Sequence, residues 1–270
     1  MGKKERLDVI VTKRGYFKSR SQAKRSIMAG LVYVDDQLVD KAGTKIDTES
    51  AIRVKGQLHP YVSRGGLKLE KAIEVFDLDL ANKVVVDIGA STGGFTDCSL
   101  QNGAKKVYAI DVGYNQLAWK LRSDHRVVSM EKTNARYLSL DDIGEAGDFG
   151  VVDVAFISLT KILGSLKGLL KENGEIIALI KPQFEAGPDK VGSNGVVKDD
   201  KVHKEVIYKV VDFAKDIDLN IIGLDYSPIT GGKGHNIEYL AHFSRGEGSE
   251  EVDDLGAKID GVIKYAHKAL

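Results

Sequence analysis

Four charged residues lie in or beside segments that the sequence predicts to be buried. They are Lys68 on a predicted helix, Asp153 within a predicted strand, Lys181 at the end of another strand and Glu238 at the start of a third. Burying a charge is costly unless it is paired, so a functional site explains such a set. Two ordinary buried salt bridges remain the alternative explanation.

Two lysines held by two carboxylates are suited to activating a hydroxyl group for attack on a methyl donor. A ribose 2′-hydroxyl is a poor nucleophile at neutral pH, and a lysine with a depressed pKa could remove or orient its proton. A second lysine would favour that depression by like-charge repulsion, and the carboxylates would hold both lysines in place. A sulfonium donor needs mainly correct positioning for in-line attack, so this chemistry requires no metal.

A glycine-rich turn follows a predicted buried strand in the segment Val84-Val-Val-Asp87-Ile-Gly89-Ala-Ser-Thr-Gly93-Gly94. Glycines let the backbone approach a ligand closely, and the helix that follows offers free N–H groups. Roughly twenty residues later the next strand ends at Asp111, whose carboxylate could accept hydrogen bonds from two ribose hydroxyls. The pattern indicates a nucleoside-type cofactor, although a tight turn with a purely structural role could have the same sequence pattern.

The spacing of the glycines indicates which class of cofactor the turn binds. It does not fit the G-x-G-x-x-G turn of dinucleotide-binding proteins, and no Gly-Lys-Ser/Thr follows as in a P-loop. A wider turn suits a ligand without phosphates, such as S-adenosylmethionine. The residues predicted to bind it are Asp87, Gly89, Ala90, Ser91, Thr92, Gly93, Gly94, Phe95, Thr96, Asp111, Val112 and Asp153.

The elements that must position these residues alternate between short apolar runs and helical segments. The runs cover residues 84–88, 107–110, 127–130, 151–157, 176–180, 221–224 and 239–243. Helical patterns cover 67–76, 159–171 and 201–216. This βαβ rhythm predicts an α/β fold with a doubly wound, mostly parallel sheet, and ligands of such sheets bind at the carboxyl ends of the strands.

Before residue 61 the pattern is different and strongly basic. Residues 1–34 hold nine lysines and arginines against two acids, although the whole chain of 270 residues has no net charge. We expect a helix over 6–17, a second helix capped by Ser19 and Gly30, a hairpin of strands 31–34 and 37–39, and a strand over 51–54. A turn-rich linker at about 56–62 separates domains 1–60 and 61–270. A basic block on an otherwise acidic chain points to a polyanion partner such as nucleic acid, and a merely solvated basic surface remains an equal alternative on charge alone.

Nearly the whole chain resembles the TlyA family of bacterial ribosomal RNA 2′-O-methyltransferases. The matching motifs are Tyr61-Val-Ser-Arg-Gly-Gly-Leu-Lys68-Leu, Asp87-Ile-Gly-Ala-Ser-Thr-Gly-Gly-Phe-Thr96, Asp111-Val-Gly-Tyr-Asn-Gln-Leu-Ala-Trp119, Asp153-Val-Ala-Phe-Ile-Ser158, Lys181-Pro-Gln-Phe-Glu185, Gly192-Ser-Asn-Gly195 and Asn236-Ile-Glu-Tyr239. The resemblance implies a small S4-like α+β RNA-binding domain joined to a Rossmann-like class I methyltransferase domain of the FtsJ/RrmJ type. It also implies that Lys68, Asp153, Lys181 and Glu238 form a catalytic tetrad.

The same resemblance implies S-adenosylmethionine as donor and a cytidine ribose of small- or large-subunit ribosomal RNA, within a subunit or ribosome, as acceptor. It implies that basic side chains position the RNA through its phosphates, which carry no base information. The residues expected to contact RNA are Arg14, Lys18, Arg20, Lys24, Arg25 and Arg64. We further expect the glycine-containing loop 187–200 to close over a target nucleotide that has left its stack.

Other features favour a cytoplasmic monomer that holds no metal. The single cysteine, Cys98, excludes an intramolecular disulfide and is expected in the core, as is Trp119. The six histidines lack metal-ligand spacing, with His235 beside Glu238 the one of interest. The apolar runs are far shorter than a membrane span. An RNA-binding protein with an inactive methyltransferase fold, a small-molecule or protein methyltransferase, and a membrane-active haemolysin remain alternatives.

Overall fold

Residues 4–17, 19–55, 59–231, 236–246 and 252–270 are described by the computed structural model. Contacts between Cα atoms divide the chain into two units, Met1–Pro60 and Tyr61–Leu270. Two residues singled out from the sequence, Lys18 and His235, lie outside the described residues.

The N-terminal unit packs two helices against short strands. The strands are β1 (Lys4–Arg6), β2 (Val32–Val34), β3 (Gln37–Leu38), β4 (Lys45–Asp47) and β5 (Ile52–Val54), and the helices are α1 (Leu7–Lys13) and α2 (Arg20–Met28). Strands β3, β2 and β5 form one antiparallel sheet, and β1 pairs with β4. Leu7, Val11 and Ile27 are fully buried in the apolar core of this unit.

Local chemistry explains the main turns of this unit. The side chain of Ser19 accepts a hydrogen bond from the Gln22 N–H, which caps α2 as expected. Asp35 and Asp36 both have positive φ (49° and 62°), so the β2–β3 hairpin turns through two left-handed residues. Such a turn matches the twist of the strands that it joins.

The C-terminal unit contains the large sheet. Its strands are β6 (Val84–Ile88), β7 (Lys106–Ile110), β8 (Val127–Met130), β9 (Gly147–Val152), β10 (Leu170–Ile180), β11 (Asn220–Tyr226) and β12 (Tyr239–Ser244). Its helices are α3 (Gly66–Val75), α4 (Gly94–Gln101), α5 (Trp119–Arg122), α6 (Leu140–Ile143), α7 (Leu163–Gly168), α8 (Pro182–Glu185), α9 (Asp200–Asp216) and α10 (Leu255–Ala269).

The sheet has the strand order β11-β12-β10-β9-β6-β7-β8. Strand β6 pairs in parallel with both β7 and β9, whereas β12 runs antiparallel to its neighbours β10 and β11. The chain moves outward from β6 to β8 on one side and resumes at β9 on the other, so the order reverses between β6 and β9. Ligand crevices of open α/β sheets form at such a switch point, outside the carboxyl ends of the strands.

Apolar side chains cover both faces of this sheet, as its central position demands. All five residues of β6 are buried. Val84 and Val86 belong to one apolar cluster with α7 and α9, while Val85 belongs to another with α3 and α4. A parallel strand buried on both faces is apolar along most of its length, which is why the sequence predicted β6 without alternation, although it contains the buried Asp87.

Several predicted elements differ from the structure. The fourth strand was expected over 151–157, but β9 ends at Val152, so Asp153 follows the strand and is not within it. The backbone then leaves the extended conformation, with Phe156 at φ 63°. The helix expected over 159–171 is a 3-10 turn (Leu159–Lys161) followed by the shorter α7. Strands β1 and β4 and helix α10 were not predicted.

Candidate methyltransferase site

The glycine turn brings the ends of β6 and β9 into direct contact. Gly89 has φ 84°, and a Cβ added there would lie 2.6 Å from the carbonyl oxygen of Asp153. Gly93 has φ 99°, and a Cβ there would lie 2.2 Å from the side chain of Leu121. Both positions combine a left-handed backbone with a close approach, so only glycine fits them. The turn therefore sets the distance between the predicted cofactor site and Asp153.

A cavity of about 340 Å³ lies beside this turn, between the ends of β6, β7 and β9. Asp111 and Val112 line it from the segment that directly follows β7, together with Gly89, Ser91 and Asp153. The two carboxylate oxygens of Asp111 accept the backbone N–H groups of Ser91 (2.8 Å) and Gly113 (2.7 Å). Asp111 thus fixes the glycine turn, and each of its oxygens keeps a lone pair for a ligand hydroxyl.

A second cavity of about 780 Å³ adjoins the first. Ala90, Thr92, Gly94 and Phe95 line it from the glycine turn, and the four charged residues line it from other elements. Gly89, Ser91, Asp153, Ala155 and Phe156 line both cavities. A donor in the smaller cavity and an acceptor in the larger one would therefore meet at Asp153.

Three of the predicted cofactor residues do not line either cavity. Asp87 is fully buried, and its Oδ2 accepts a hydrogen bond of 2.5 Å from the Thr96 hydroxyl. Gly93 instead packs against Leu121. Asp87, Gly93 and Thr96 thus support the turn on the side away from the two cavities. Sequence spacing alone could not distinguish them from the residues that line the cavities.

Asp87 carries an unusual proton affinity, which gives a testable prediction. Burial raises its pKa to about 7 against the lowering effect of the Thr96 hydrogen bond. No group among the described residues donates a hydrogen bond to its Oδ1. An acid whose folded-state pKa is raised is stabilised by its proton, so stability falls as pH rises from the ordinary value of 3.8 through about 7.

We expect Asp87→Asn to remove this pH dependence, because asparagine stays neutral. We measure the free energy of unfolding of both proteins by urea titration. The value for Asp87→Asn minus the value for wild type should be larger at about pH 8 than at about pH 4, by several kcal/mol. Parallel curves for the two proteins across this range would show that Asp87 does not titrate as described.

The structure brings all four charged residues together at the carboxyl edge of the sheet. Lys68 Nζ lies 3.0 Å from Asp153 Oδ2 and 2.7 Å from Glu238 Oε2. Lys181 Nζ lies 2.5 Å from Asp153 Oδ1 and donates to the Val154 carbonyl at 2.8 Å. Asp153 therefore bridges the two lysines through its two oxygens.

The charges in this cluster determine one another's pKa. For Lys68, burial acts to lower the pKa, but the carboxylates of Asp153 and Glu238 outweigh it and raise the pKa above 10.5. For Asp153, burial acts to raise the pKa, but Lys68 and Lys181 outweigh it and hold the pKa below 3.8. The lysine with a depressed pKa expected from the sequence is therefore not Lys68, because two carboxylates neutralise its burial penalty.

The wall of the larger cavity contains residues that were not singled out from the sequence. Phe156 is 90% exposed, and its ring lies 5.0 Å from that of Phe184. Gln183 lines the cavity, and no described residue donates to its amide oxygen. Glu185 accepts the Ser158 hydroxyl (2.5 Å) and the Leu159 N–H (2.6 Å), which fixes the chain after β9. Their only sequence signal was membership of the motifs beginning at Asp153 and Lys181.

The basic residues expected to contact RNA differ in how they are held. Arg14 donates to the carbonyls of Ser50 (2.8 Å) and Thr48, and Arg20 pairs with Asp8 at 2.9 Å. Lys24 and Arg25 are exposed on α2. In the C-terminal unit, Arg64 lines the larger cavity and donates to the Thr230 carbonyl at 3.2 Å.

Two further expectations concern packing. Cys98 is fully buried in the core, as predicted. Trp119, also expected to pack, is 77% exposed at the start of α5, so that expectation was wrong. Its apolar neighbours Leu117 and Leu121 fill the space behind the glycine turn instead.

None of the helices within the described ranges combines the length and apolar character needed to cross a bilayer.

The fold and the site define a methyltransferase of the Rossmann-like α/β class, and residues 61–245 match the FtsJ-like methyltransferases. Because the match spans more than half of the chain, the protein belongs to the FtsJ-like methyltransferase family. Residues 5–52 match the S4 domain. The N-terminal helices and the catalytic unit therefore correspond to two separately recognised domains.

Relatives match over most of their length. A protein of Bacillus subtilis described as a candidate rRNA methyltransferase, YqxC, is 52% identical over 99% of this chain and 96% of its own. TlyA of Mycobacterium tuberculosis, named a 16S/23S rRNA (cytidine-2′-O)-methyltransferase, is 41% identical over 89% of this chain and 90% of its own. A solved structure from Streptococcus thermophilus, described as a candidate hemolysin, is 49% identical with a TM-score of 0.78, covering 98% of this chain and 96% of that one.

Proposed function

We propose that this protein transfers a methyl group from S-adenosylmethionine to the 2′-hydroxyl of a cytidine ribose in ribosomal RNA. The observation that carries the proposal is the cluster of Lys68, Asp153, Lys181 and Glu238 in the wall of the larger cavity, with Asp153 also lining the smaller one. The activity named for the Mycobacterium tuberculosis relative supports the same reaction. We propose that the acceptor lies in the small or the large ribosomal subunit, or in both, and that the protein acts in the cytoplasm, where such a substrate is found.

The smaller cavity fits S-adenosylmethionine. Its volume of about 340 Å³ falls in the range of cofactor pockets, its lining is mostly apolar, and Asp111 offers a carboxylate at its rim. Gly89 has no Cβ, which would collide with Asp153, so its backbone stays accessible from the cavity. Gly89, Ser91, Asp111, Val112 and Asp153 would hold the cofactor, which when bound supplies an electrophilic methyl group on a sulfonium.

The four charged residues have different roles toward the acceptor hydroxyl. We assign Lys181, once its ammonium group has released a proton to solvent, as the amine that orients the hydroxyl and receives its proton as the oxygen–methyl bond forms and the sulfur–methyl bond breaks. Asp153 holds the Lys181 ammonium nitrogen at 2.5 Å, and Lys68 is kept charged by Asp153 and Glu238. A fixed array of charges in a half-buried cleft lowers the barrier mainly by positioning and by preorganised electrostatics.

We propose that the acceptor nucleotide leaves its stack and enters the larger cavity. Its volume of about 780 Å³ accommodates a nucleoside, and the exposed ring of Phe156 offers a face on which a base can stack. Lys24 and Arg25, exposed on α2, and Arg64 at the cavity would contact phosphates. Arg14 and Arg20 are already held by protein groups, and we propose that they contact RNA while keeping these bonds.

The function is tested by incubating the full-length protein with labelled methyl donor and purified ribosomal subunits. We expect label in RNA, recovered after digestion as 2′-O-methylcytidine, and no label with Lys181→Ala. Lys258→Ala, an exposed lysine on α10, serves as the matched control and should label like wild type. Label in protein or lipid, or no label from wild type, would refute the proposal.

A further inference from the structure

The loop of residues 192–197 lies within the segment 187–200 that we expect to close over the target nucleotide, and it forms part of the wall of the larger cavity. Asn194 and Gly195 line the cavity from this loop. The loop closes on itself, because the Gly192 N–H donates to Val196 (3.0 Å) and the Gly195 N–H donates to Gly192 (2.8 Å). Its position relative to the cavity therefore depends on what holds its ends.

Val197 is the point at which the loop is held. Its N–H donates to Asn236 Oδ1 at 3.2 Å, and its carbonyl lies 2.9 Å from Nε2 of His203. Asn236 also donates from Nδ2 to the Gly195 carbonyl at 2.9 Å. Two side chains from two different parts of the C-terminal unit thus fasten one short piece of backbone.

His203 connects this backbone to strand β12. Its Nδ1 lies 2.5 Å from the Tyr239 hydroxyl, and both side chains are fully buried. A carbonyl oxygen can only accept, so Nε2 must carry the hydrogen, and Nδ1 then accepts from the Tyr239 O–H. The geometry thus requires a neutral imidazole with one defined tautomer.

Tyr239 occupies a position that matters for catalysis. It directly follows Glu238 and pairs in register with Ile180, the residue before Lys181. A chain of hydrogen bonds therefore runs from Val197, at the end of the loop, through His203 to Tyr239, whose backbone adjoins two of the four catalytic candidates.

We propose that His203 is a positioning residue that fastens loop 192–197 in the wall of the acceptor cavity and couples it to Glu238 and Lys181. The inference rests on the proposed function, because it treats the larger cavity as the site of the RNA acceptor. His203 acts through Val197 and Tyr239 and touches no reacting atom. Its loss should weaken binding of RNA and leave binding of the methyl donor unchanged.

Acid pH should loosen this connection. Burial lowers the pKa of His203 from 6.5, and the groups facing it are Tyr239 on β12, His267 on α10, and Asp199 and Asp200 at the start of α9. His267 pairs with Asp200 at 3.0 Å, so that carboxylate is shared. Protonation would put a second N–H against the Tyr239 hydroxyl and a charge in the core.

The test compares His203→Leu, Tyr239→Phe and His203→Gln with wild type in two measurements. Amide hydrogen exchange of residues 192–197 in the free protein should accelerate about tenfold in His203→Leu and a few-fold in Tyr239→Phe, as loss of one or two hydrogen bonds predicts. In methyl transfer to ribosomal subunits, the KM for RNA should rise about tenfold in His203→Leu while the KM for the methyl donor stays constant. In His203→Gln, both the exchange rate of residues 192–197 and the KM for RNA should lie between those of wild type and His203→Leu.

The control is His242→Leu, which removes another buried histidine of the same unit, one that pairs with Glu175 at 2.6 Å away from both cavities. It should leave exchange at 192–197 and the RNA KM unchanged. Because burial lowers the pKa of His203 below 6.5, the wild-type RNA KM should rise only on the acid side of that pH, and His203→Gln should lack that rise. Should His203→Leu fail to fold, Tyr239→Phe decides the matter.

Unchanged exchange at 192–197 in both Tyr239→Phe and a folded His203→Leu overturns the proposal. Equal rises of the KM for RNA and for the methyl donor also overturn it, because they indicate a general structural defect. If wild type transfers no methyl group to RNA but exchange at 192–197 accelerates in the two variants as expected, the proposed function is wrong. The role of His203 in holding the loop is then still supported.

Discussion

Lys181→Ala is expected to lower kcat for methyl transfer to RNA about a thousandfold, within the range for losing a general acid–base group. The lysine contacts Asp153 and the Val154 carbonyl at the junction of the two cavities, and no other described lysine lies within 4 Å of Asp153 except Lys68. The ammonium of Lys68 is held by two carboxylates, so it cannot readily take over the proton.

Arginine at position 181 separates the two roles that a lysine can have here. A guanidinium can orient an oxygen but does not accept a proton at neutral pH. We therefore expect Lys181→Arg to be nearly as inactive as Lys181→Ala, whereas added primary amines should restore part of the activity of Lys181→Ala only.

The measurement is single-turnover methyl transfer, with donor affinity determined separately by calorimetry. Donor affinity should change little, because Lys181 does not line the smaller cavity. Lys258→Ala is the matched control. Activity of Lys181→Ala within tenfold of wild type, or full activity of Lys181→Arg, would contradict the assignment of Lys181 as proton acceptor.

The sequence predicted the cluster of four charged residues because topology, more than local structure, brings its members together. Residues that end parallel strands meet at one edge of a sheet. Thus Asp153 and Lys181 could be placed together even though the fourth strand ends earlier than expected, at Val152. The error had little consequence, because the Asp153 N–H still donates to Ile88 at the end of β6.

The sequence could not predict features that depend on contacts between distant segments. Trp119 has the composition of a core residue, but Leu117 and Leu121 already occupy the space behind the turn. The raised pKa of Lys68 depends on two carboxylates that are 85 and 170 positions away. His203 sits on an amphipathic helix like any buried residue, and only the fold shows that its two nitrogens face Val197 and Tyr239.

Asp153→Asn is expected to cause the largest loss of stability of any single change in the site. The substitution keeps the shape but removes the charge that both lysines face, so Lys181 loses the carboxylate that neutralises it. Breaking a buried ion pair by removing one partner costs about 3–5 kcal/mol, because the remaining charge is desolvated and unpaired. Lys68 retains Glu238 at 2.7 Å, which limits the loss.

The pH dependence identifies the origin of this loss. Lys68 and Lys181 hold the pKa of Asp153 below 3.8, so the ionised carboxylate contributes stability that is present above 3.8 and is lost as pH falls through the folded-state pKa. The difference in unfolding free energy between wild type and Asp153→Asn should therefore be largest near neutral pH and shrink in strong acid. Chemical denaturation at several pH values measures it.

The matched control is Asp189→Asn, an exposed aspartate in the turn Pro188–Lys190, which should change stability by less than about 0.5 kcal/mol. Methyl transfer by Asp153→Asn should fall with its stability, because both lysines lose the group that aligns them. If the variant is as stable as wild type at neutral pH, the lysines are not held by the charge of Asp153. The ion pairs of the cluster would then contribute too little to hold either lysine in place for orienting a ribose hydroxyl.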